Sequence, residues 1–195
     1  MLLNEGKTEQ ALLPLLYETY VGRTPGADRT GIVPMCGSGN FHHAFAVLKA
    51  MEINVKIVAD LDYALGNAKH VPGYAAPDMA VVKSILAQLQ AVHGFPLDGG
   101  GLPTKDKTGA WTAAKIWRLF AQDTDGAKLA AAQHEKLKAL GVWVWREGTI
   151  EDVLGIADKG EDVIQQLEQE LPKLTADQLV GMYPTMIEFL DWLRD

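Results

Sequence analysis

The 195-residue chain has a single cysteine, Cys36, which excludes an internal disulfide framework and any cysteine-based zinc site. That usage fits a reducing compartment, so a cytoplasmic location is expected. No stretch approaches the roughly 18 uninterrupted apolar residues of a membrane span, and no membrane partner is expected. The first residues, Met1 to Lys7, lack a basic region followed by an apolar run and do not read as a secretory signal. Internal repeats and low-complexity segments are missing too. Gly37-Ser-Gly39 lacks the third glycine of a dinucleotide fingerprint. Gly6-Lys7-Thr8 imitates the end of a nucleotide phosphate loop, but Met1 stands where that loop needs its first glycine. No nucleotide is expected on this chain.

What is present is the composition of a globular domain: 48% hydrophobic residues, with 18 Lys and Arg against 25 Asp and Glu. The net charge of −7 is unevenly spread. Residues 151–195 carry 11 acids and 3 bases, whereas 1–150 carry 14 acids and 15 bases. The near-neutral part has room for a basic groove, so overall acidity does not exclude nucleic acid as a partner.

Leu12, Leu13, Leu16 and Tyr20 predict a helix over 7–20, with Pro14 one turn in. Residues 31–35 read as a short strand, closed by Cys36-Gly-Ser-Gly-Asn40. A helix over 41–51 follows, with Asn40 as its expected N-cap. Residues 55–59 form a second apolar strand, and Met1–Leu3 reads as the end of another. Alternating strands and helices with short links predict an α/β fold: a mainly parallel sheet of about four strands flanked by helices. Helical periodicity covers 78–92, 110–122 and 125–140, Val142–Trp145 restores a strand, and Gly148–Leu154 starts a further helix. The expected organisation is a core of 1–68 and 141–160, a helical insertion over 69–140, and a helical tail over 161–195 that packs on the core. In that tail Val163, Leu167 and Leu171 form one stripe and Phe189, Trp192 and Leu193 another.

Three acidic constellations stand out. Glu5 ends a strand and Glu9 falls in the first helical turn, so both can point at one spot beyond the sheet edge, and Gly6 permits the tight turn between them. Asp60 and Asp62 follow the strand 55–59; read as a continuation of it, they leave its carboxyl edge on the same side. Gly148-Thr-Ile-Glu151 puts a hydroxyl and a further carboxylate after the strand at 142–145. Taken singly, each has a plainer reading as helix-start acids, a solvated loop, or a capping Thr with a first-turn Glu. Taken together they give five carboxylates at the carboxyl ends of strands, where ligands of open α/β sheets bind. An all-oxygen set suits Mg²⁺ or Mn²⁺ rather than zinc, and two such ions can serve a phosphoryl displacement.

The order Glu5-Gly-x-x-Glu9, Gly37-Ser-Gly-Asn40, Asp60-x-Asp62 and Thr149-x-Glu151 resembles the Toprim domain of the OLD-family (overcoming lysogenization defect) endonucleases. The resemblance covers 1–68 and 142–155 well and the remainder loosely. It implies a Toprim fold and metal-dependent cleavage of DNA. It implies Glu5, Glu9, Asp60, Asp62 and Glu151 as metal ligands, with Thr149 assisting. A later basic residue is also expected in the catalytic set, with Lys159 and Lys173 as candidates. The family further implies an ABC-type ATPase portion preceding this one and outside the chain. Asn4 departs from the apolar residue commoner before the first acid.

Gly37, Ser38, Gly39 and Asn40 are expected to offer backbone amides to a DNA phosphate at the start of the next helix. Lys105, Lys107, Lys115 and Arg118 form a candidate backbone-contacting patch, with a solvated face as the alternative. His42 and His43 read as ordinary helix residues, and Trp111, Trp117, Trp143 and Trp145 as core or interface. Two competing functions remain. In a haloacid-dehalogenase-like phosphatase, Asp60 would attack phosphate and Asp62 act as acid/base; that motif expects its Asp pair on the first strand. The other is a non-catalytic Toprim-like interaction module. A homo-oligomer is compatible with each.

Overall fold

A computed structural model describes residues 1–156 and 160–195. Four strands, β1 (Leu2–Asn4), β2 (Ile32–Pro34), β3 (Lys56–Ala59) and β4 (Val142–Val144), form one sheet in the order β2-β1-β3-β4. β1 pairs in parallel with β2, Leu3 opposite Val33, and with β3, Leu3 opposite Ile57. The fold is a parallel α/β sheet flanked by helices, as the resemblance to a Toprim domain implies. Leu2, Leu3, Ile57, Val58, Val142 and Trp143 are buried, as strands of a parallel sheet covered on both faces must be. β2 lies at an edge and is less buried, and it alone among the strands ends in a proline, which cannot donate to a neighbour.

The chain resolves into two compact units. The first comprises Met1–Ala59, Gly141–Trp143 and Ile150–Asp195; the second comprises Asp60–Leu140 and Val144–Thr149.

In the first unit, α1 (Lys7–Val21) runs through Pro14, whose ring removes one amide donor, and stops at Gly22 in the left-handed region. α2 (Phe41–Ala50) follows a single 3-10 turn at Ser38–Asn40. Asn40 occupies the N-cap position of α2, but its side chain does not cap. Its Nδ2 instead donates to the Met35 carbonyl at 2.9 Å, tying the glycine loop back to the end of β2. Short α7 (Ile150–Leu154) starts two residues later than the periodicity suggested. The helical tail consists of α8 (Glu161–Glu170), α9 (Ala176–Met182) and α10 (Pro184–Arg194). Pro172 and Pro184 interrupt it, and a capping box between Thr175 and Gln178 restarts α9. Leu171, Phe189 and Leu193 are buried, and Trp143 packs against Phe189 and Trp192 with ring centroids 5.4 and 5.5 Å away.

The second unit holds α3 (Leu61–Leu65), α4 (Met79–His93), α5 (Ala113–Gln122) and α6 (Thr124–Lys138). Asp78, Thr112 and Asp123 cap α4, α5 and α6 with side-chain oxygens. α5 and α6 meet closely at Gly126, where a Cβ would stand 2.0 Å from the Phe120 carbonyl oxygen. Trp117 and Trp145 are buried core residues of this unit, and half-buried Trp111 packs on Phe95. No helix among the described residues is long and apolar enough to cross a membrane.

Candidate active site

β1 ends at Asn4, and the next five residues build the first acidic constellation. The Asn4 and Glu5 carbonyls accept from the amides of Met35 and Gly37, at 2.9 and 3.2 Å, so the glycine loop is hydrogen-bonded to the backbone of Glu5. Asn4 is fully buried, and its Nδ2 donates to the Gly6 carbonyl at 2.7 Å. Gly6 caps α1 with extended backbone and no side chain. A Cβ there would come within 3.1 Å of Glu9 Oε2, so the missing side chain is the room into which the Glu9 carboxylate folds back. Glu9 is only 4% exposed.

Glu151, on the first turn of α7, is 2% exposed. Thr8 Oγ1 donates to Glu151 Oε1 at 2.7 Å, joining the starts of α1 and α7 inside the first unit. Thr8 escaped sequence reasoning; its signal was its place beside Glu9 in the first turn of α1.

Asp60 and Asp62 belong to the second unit. They do not continue β3, which ends at Ala59. Asp60 is the extended N-cap residue of α3 and Asp62 lies in its first turn. The same-face argument for a strand therefore fails here: a helix, not a strand, sets their relative directions. Leu61 N donates to the Gly148 carbonyl at 2.8 Å, which fastens the start of α3 to the loop carrying buried Thr149. Gly148 has φ 127°, a conformation L side chains rarely adopt.

Gly37 and Ser38 are half-buried, and Gly39 and Asn40 are exposed. Cys36 and Gly37 have φ of 53° and 123°, which turns the chain sharply into α2. Lys105, Lys107 and Lys115 are exposed in the second unit, and Lys115 Nζ reaches the Ala110 carbonyl at 2.9 Å. Lys159 lies outside the described residues. Lys173 ends the 3-10 turn after α8.

Among the described residues, no group of three or more His, Cys, Asp or Glu is close enough to hold a metal ion as it stands. The donor chemistry nonetheless suits a hard divalent cation. The acids of the three motifs are all carboxylates, no cysteine or histidine belongs to those motifs, and the pocket left by Gly6 admits a carboxylate. Asn4 Oδ1 adds a buried oxygen with no hydrogen-bond donor among the described residues.

Residues 1–62 match the family described as "Overcoming lysogenization defect protein-like, TOPRIM domain". That segment takes in β1, the glycine loop, β3 and the Asp60–Asp62 pair. That part of the chain is similar to an OLD-like Toprim domain. Over 196 aligned residues, covering 99% of the chain, it is also 24% identical to the Old nuclease of Escherichia phage P2. The chain spans about a third of that relative's length, 33%. The Toprim match includes Glu5, Glu9, Asp60 and Asp62; Thr149 and Glu151 lie beyond it.

Proposed function

We propose that this Toprim domain is the catalytic part of a divalent-metal-dependent endodeoxyribonuclease. One observation carries the reading: the OLD-like Toprim match runs from the first acidic motif to the Asp pair. The buried Glu9 and the Thr8–Glu151 hydrogen bond support it. So does the similarity to the phage P2 Old nuclease.

In this reading Glu5, Glu9, Asp60, Asp62 and Glu151 hold Mg²⁺ or Mn²⁺, two ions in all. Bound there, the metal supplies an activated water and stabilises the leaving oxygen of a phosphodiester. The chain's own residues do the rest. Thr8 and Gly6 fix the carboxylates of Glu151 and Glu9. Thr149 and a lysine, Lys159 or Lys173, assist at the scissile phosphate. The amides of Gly37, Ser38, Gly39 and Asn40, with Lys105 and Lys107, position the DNA backbone. An ATPase portion beyond this chain is the partner that completes the nuclease. The Toprim match takes in Asp60-Leu-Asp62, which favours this reading over a phosphatase built on Asp60.

Supercoiled plasmid incubated with the chain and Mg²⁺ or Mn²⁺ tests it. Nicking or linearisation that EDTA stops, and that Asp60→Asn and Asp62→Asn each abolish, is the expected result. Activity supported only by Zn²⁺, or undiminished in both variants, overturns it.

A further inference from the structure

α6 carries two polar side chains that the proposed chemistry does not use, Gln133 and His134, and both are almost fully buried, at 2% and 1% exposure. Burying an amide and an imidazole side by side is costly unless their partners are supplied. Here they are. His134 Nδ1 lies 2.7 Å from the Val144 carbonyl oxygen. A carbonyl can only accept, so Nδ1 carries the proton and the neutral ring is held in one tautomer. Burial lowers the pKa of His134, which favours the same neutral form. Gln133 Oε1 receives the Tyr74 hydroxyl at 3.0 Å, and that hydroxyl also lies 2.9 Å from the Ala64 carbonyl on α3.

These bonds form a circuit inside the second unit, in which the one Tyr74 proton is shared between the Ala64 carbonyl and Gln133 Oε1. From α6 it runs through His134 to Val144 and along the loop to Gly148. It then crosses the 2.8 Å bond from Leu61 N to the Gly148 carbonyl, follows α3 to Ala64, and returns through Tyr74 to Gln133. Asp60 and Asp62 flank Leu61, and Thr149 follows Gly148, so the three residues of this unit proposed to act at the metal and the scissile phosphate adjoin one link. Apolar side chains at 133 and 134 would fill the same core. They would not fix direction as hydrogen bonds do.

We infer that His134, Gln133 and Tyr74 are positioning residues: through this circuit α6 sets the geometry of Asp60, Asp62 and Thr149, and the helical insertion is part of the catalytic apparatus. The inference rests on the proposed nuclease reading.

The test compares the full chain with His134→Leu, His134→Asn and Tyr74→Phe. His134→Asn keeps an N–H donor near the Nδ1 position. Amide hydrogen exchange at Leu61 is expected to quicken about tenfold in His134→Leu and Tyr74→Phe and to return toward wild type in His134→Asn, while Ile57 in β3 stays protected. Mn²⁺ affinity, measured by calorimetry without DNA, is expected to fall about tenfold in His134→Leu and to recover in His134→Asn. Unchanged Leu61 exchange in the folded variants, or His134→Asn behaving like His134→Leu, overturns the inference. If His134→Leu does not fold, Tyr74→Phe decides it by the same exchange readout. If wild type binds no Mn²⁺, the metal-dependent reading fails, and Leu61 exchange alone judges the brace.

Discussion

Thr8 Oγ1 and Glu151 Oε1 lie 2.7 Å apart, buried, although 143 residues separate them in sequence. The bond joins the first turns of α1 and α7 and holds the Glu151 carboxylate in a fixed direction. A hydroxyl donating to a buried carboxylate contributes more than an exposed pair does. Thr8→Val keeps the shape and removes the donor. The expected loss is about 1–3 kcal/mol in urea denaturation, with Thr8→Ser retaining most of the stability. Wild-type stability in Thr8→Val would show that the pair contributes nothing net.

Gly6→Ala tests the room left for Glu9. The Gly6 backbone, at φ −132°, is open to any residue, so the burden falls on the contact of 3.1 Å between the new Cβ and Glu9 Oε2. Stability should fall by about 1 kcal/mol or less, the scale of a changed N-cap. The rise in melting temperature on adding Mn²⁺ should shrink by more than that small loss explains. An undiminished Mn²⁺ response would remove Glu9 from the ligand set.

The pH dependence of stability has a separate source at the far end of α1. The Tyr17 hydroxyl donates to Asp28 Oδ2 at 2.5 Å, and Arg23 Nε donates to the same oxygen at 2.9 Å. The Tyr17 bond first, and then Arg23, hold the Asp28 carboxyl below its ordinary 3.8. Burial first, and then the Asp28 bond, raise Tyr17 above its ordinary 10.0. A depressed carboxyl stabilises the fold above its unfolded pKa, and that contribution is lost as pH falls through the folded value. A raised phenol contributes below its unfolded pKa and loses that contribution as pH rises through the folded value. The advantage of wild type over Tyr17→Phe should therefore be full between about pH 5 and 9 and narrow at both extremes. Thermal melts across that range check it, and a gap constant down to pH 2 would contradict the assignment.

Charge reversal addresses the DNA surface. Lys105→Glu, Lys107→Glu and Lys115→Glu together should weaken DNA binding and flatten its salt dependence by about 0.9 in logarithmic slope for each phosphate contact removed. Mn²⁺ affinity should not change. Filter binding at several salt concentrations measures both effects, and full retention of binding would place the DNA elsewhere.

Much of the fold was legible in the residues. Apolar pairs such as Leu2-Leu3 and Ile57-Val58 identify buried parallel strands, because a strand covered on both faces has no polar side to show. The glycines at 6, 37 and 148 mark the turns that leave those strands. The strand end at Ala59 was legible, but the direction of Asp60 and Asp62 was misread, because nothing local reveals that a helix begins there. The tail's helical character was legible in its two apolar stripes, and Pro172 and Pro184 mark where it breaks.

The sequence by itself determined the order of strands and helices, and with it which acids follow which strand, since both rest on short-range periodicity and turn chemistry. Tertiary structure decided the sheet order β2-β1-β3-β4 and the partners of the buried polar groups. Thr8 is an unremarkable first-turn residue until Glu151 arrives, and nothing in the helical periodicity of 125–140 singles out Gln133 and His134, which Tyr74 and Val144 meet only in the fold. Whether a polar side chain can be buried depends on a partner supplied from far along the chain, and periodicity carries no information about that partner.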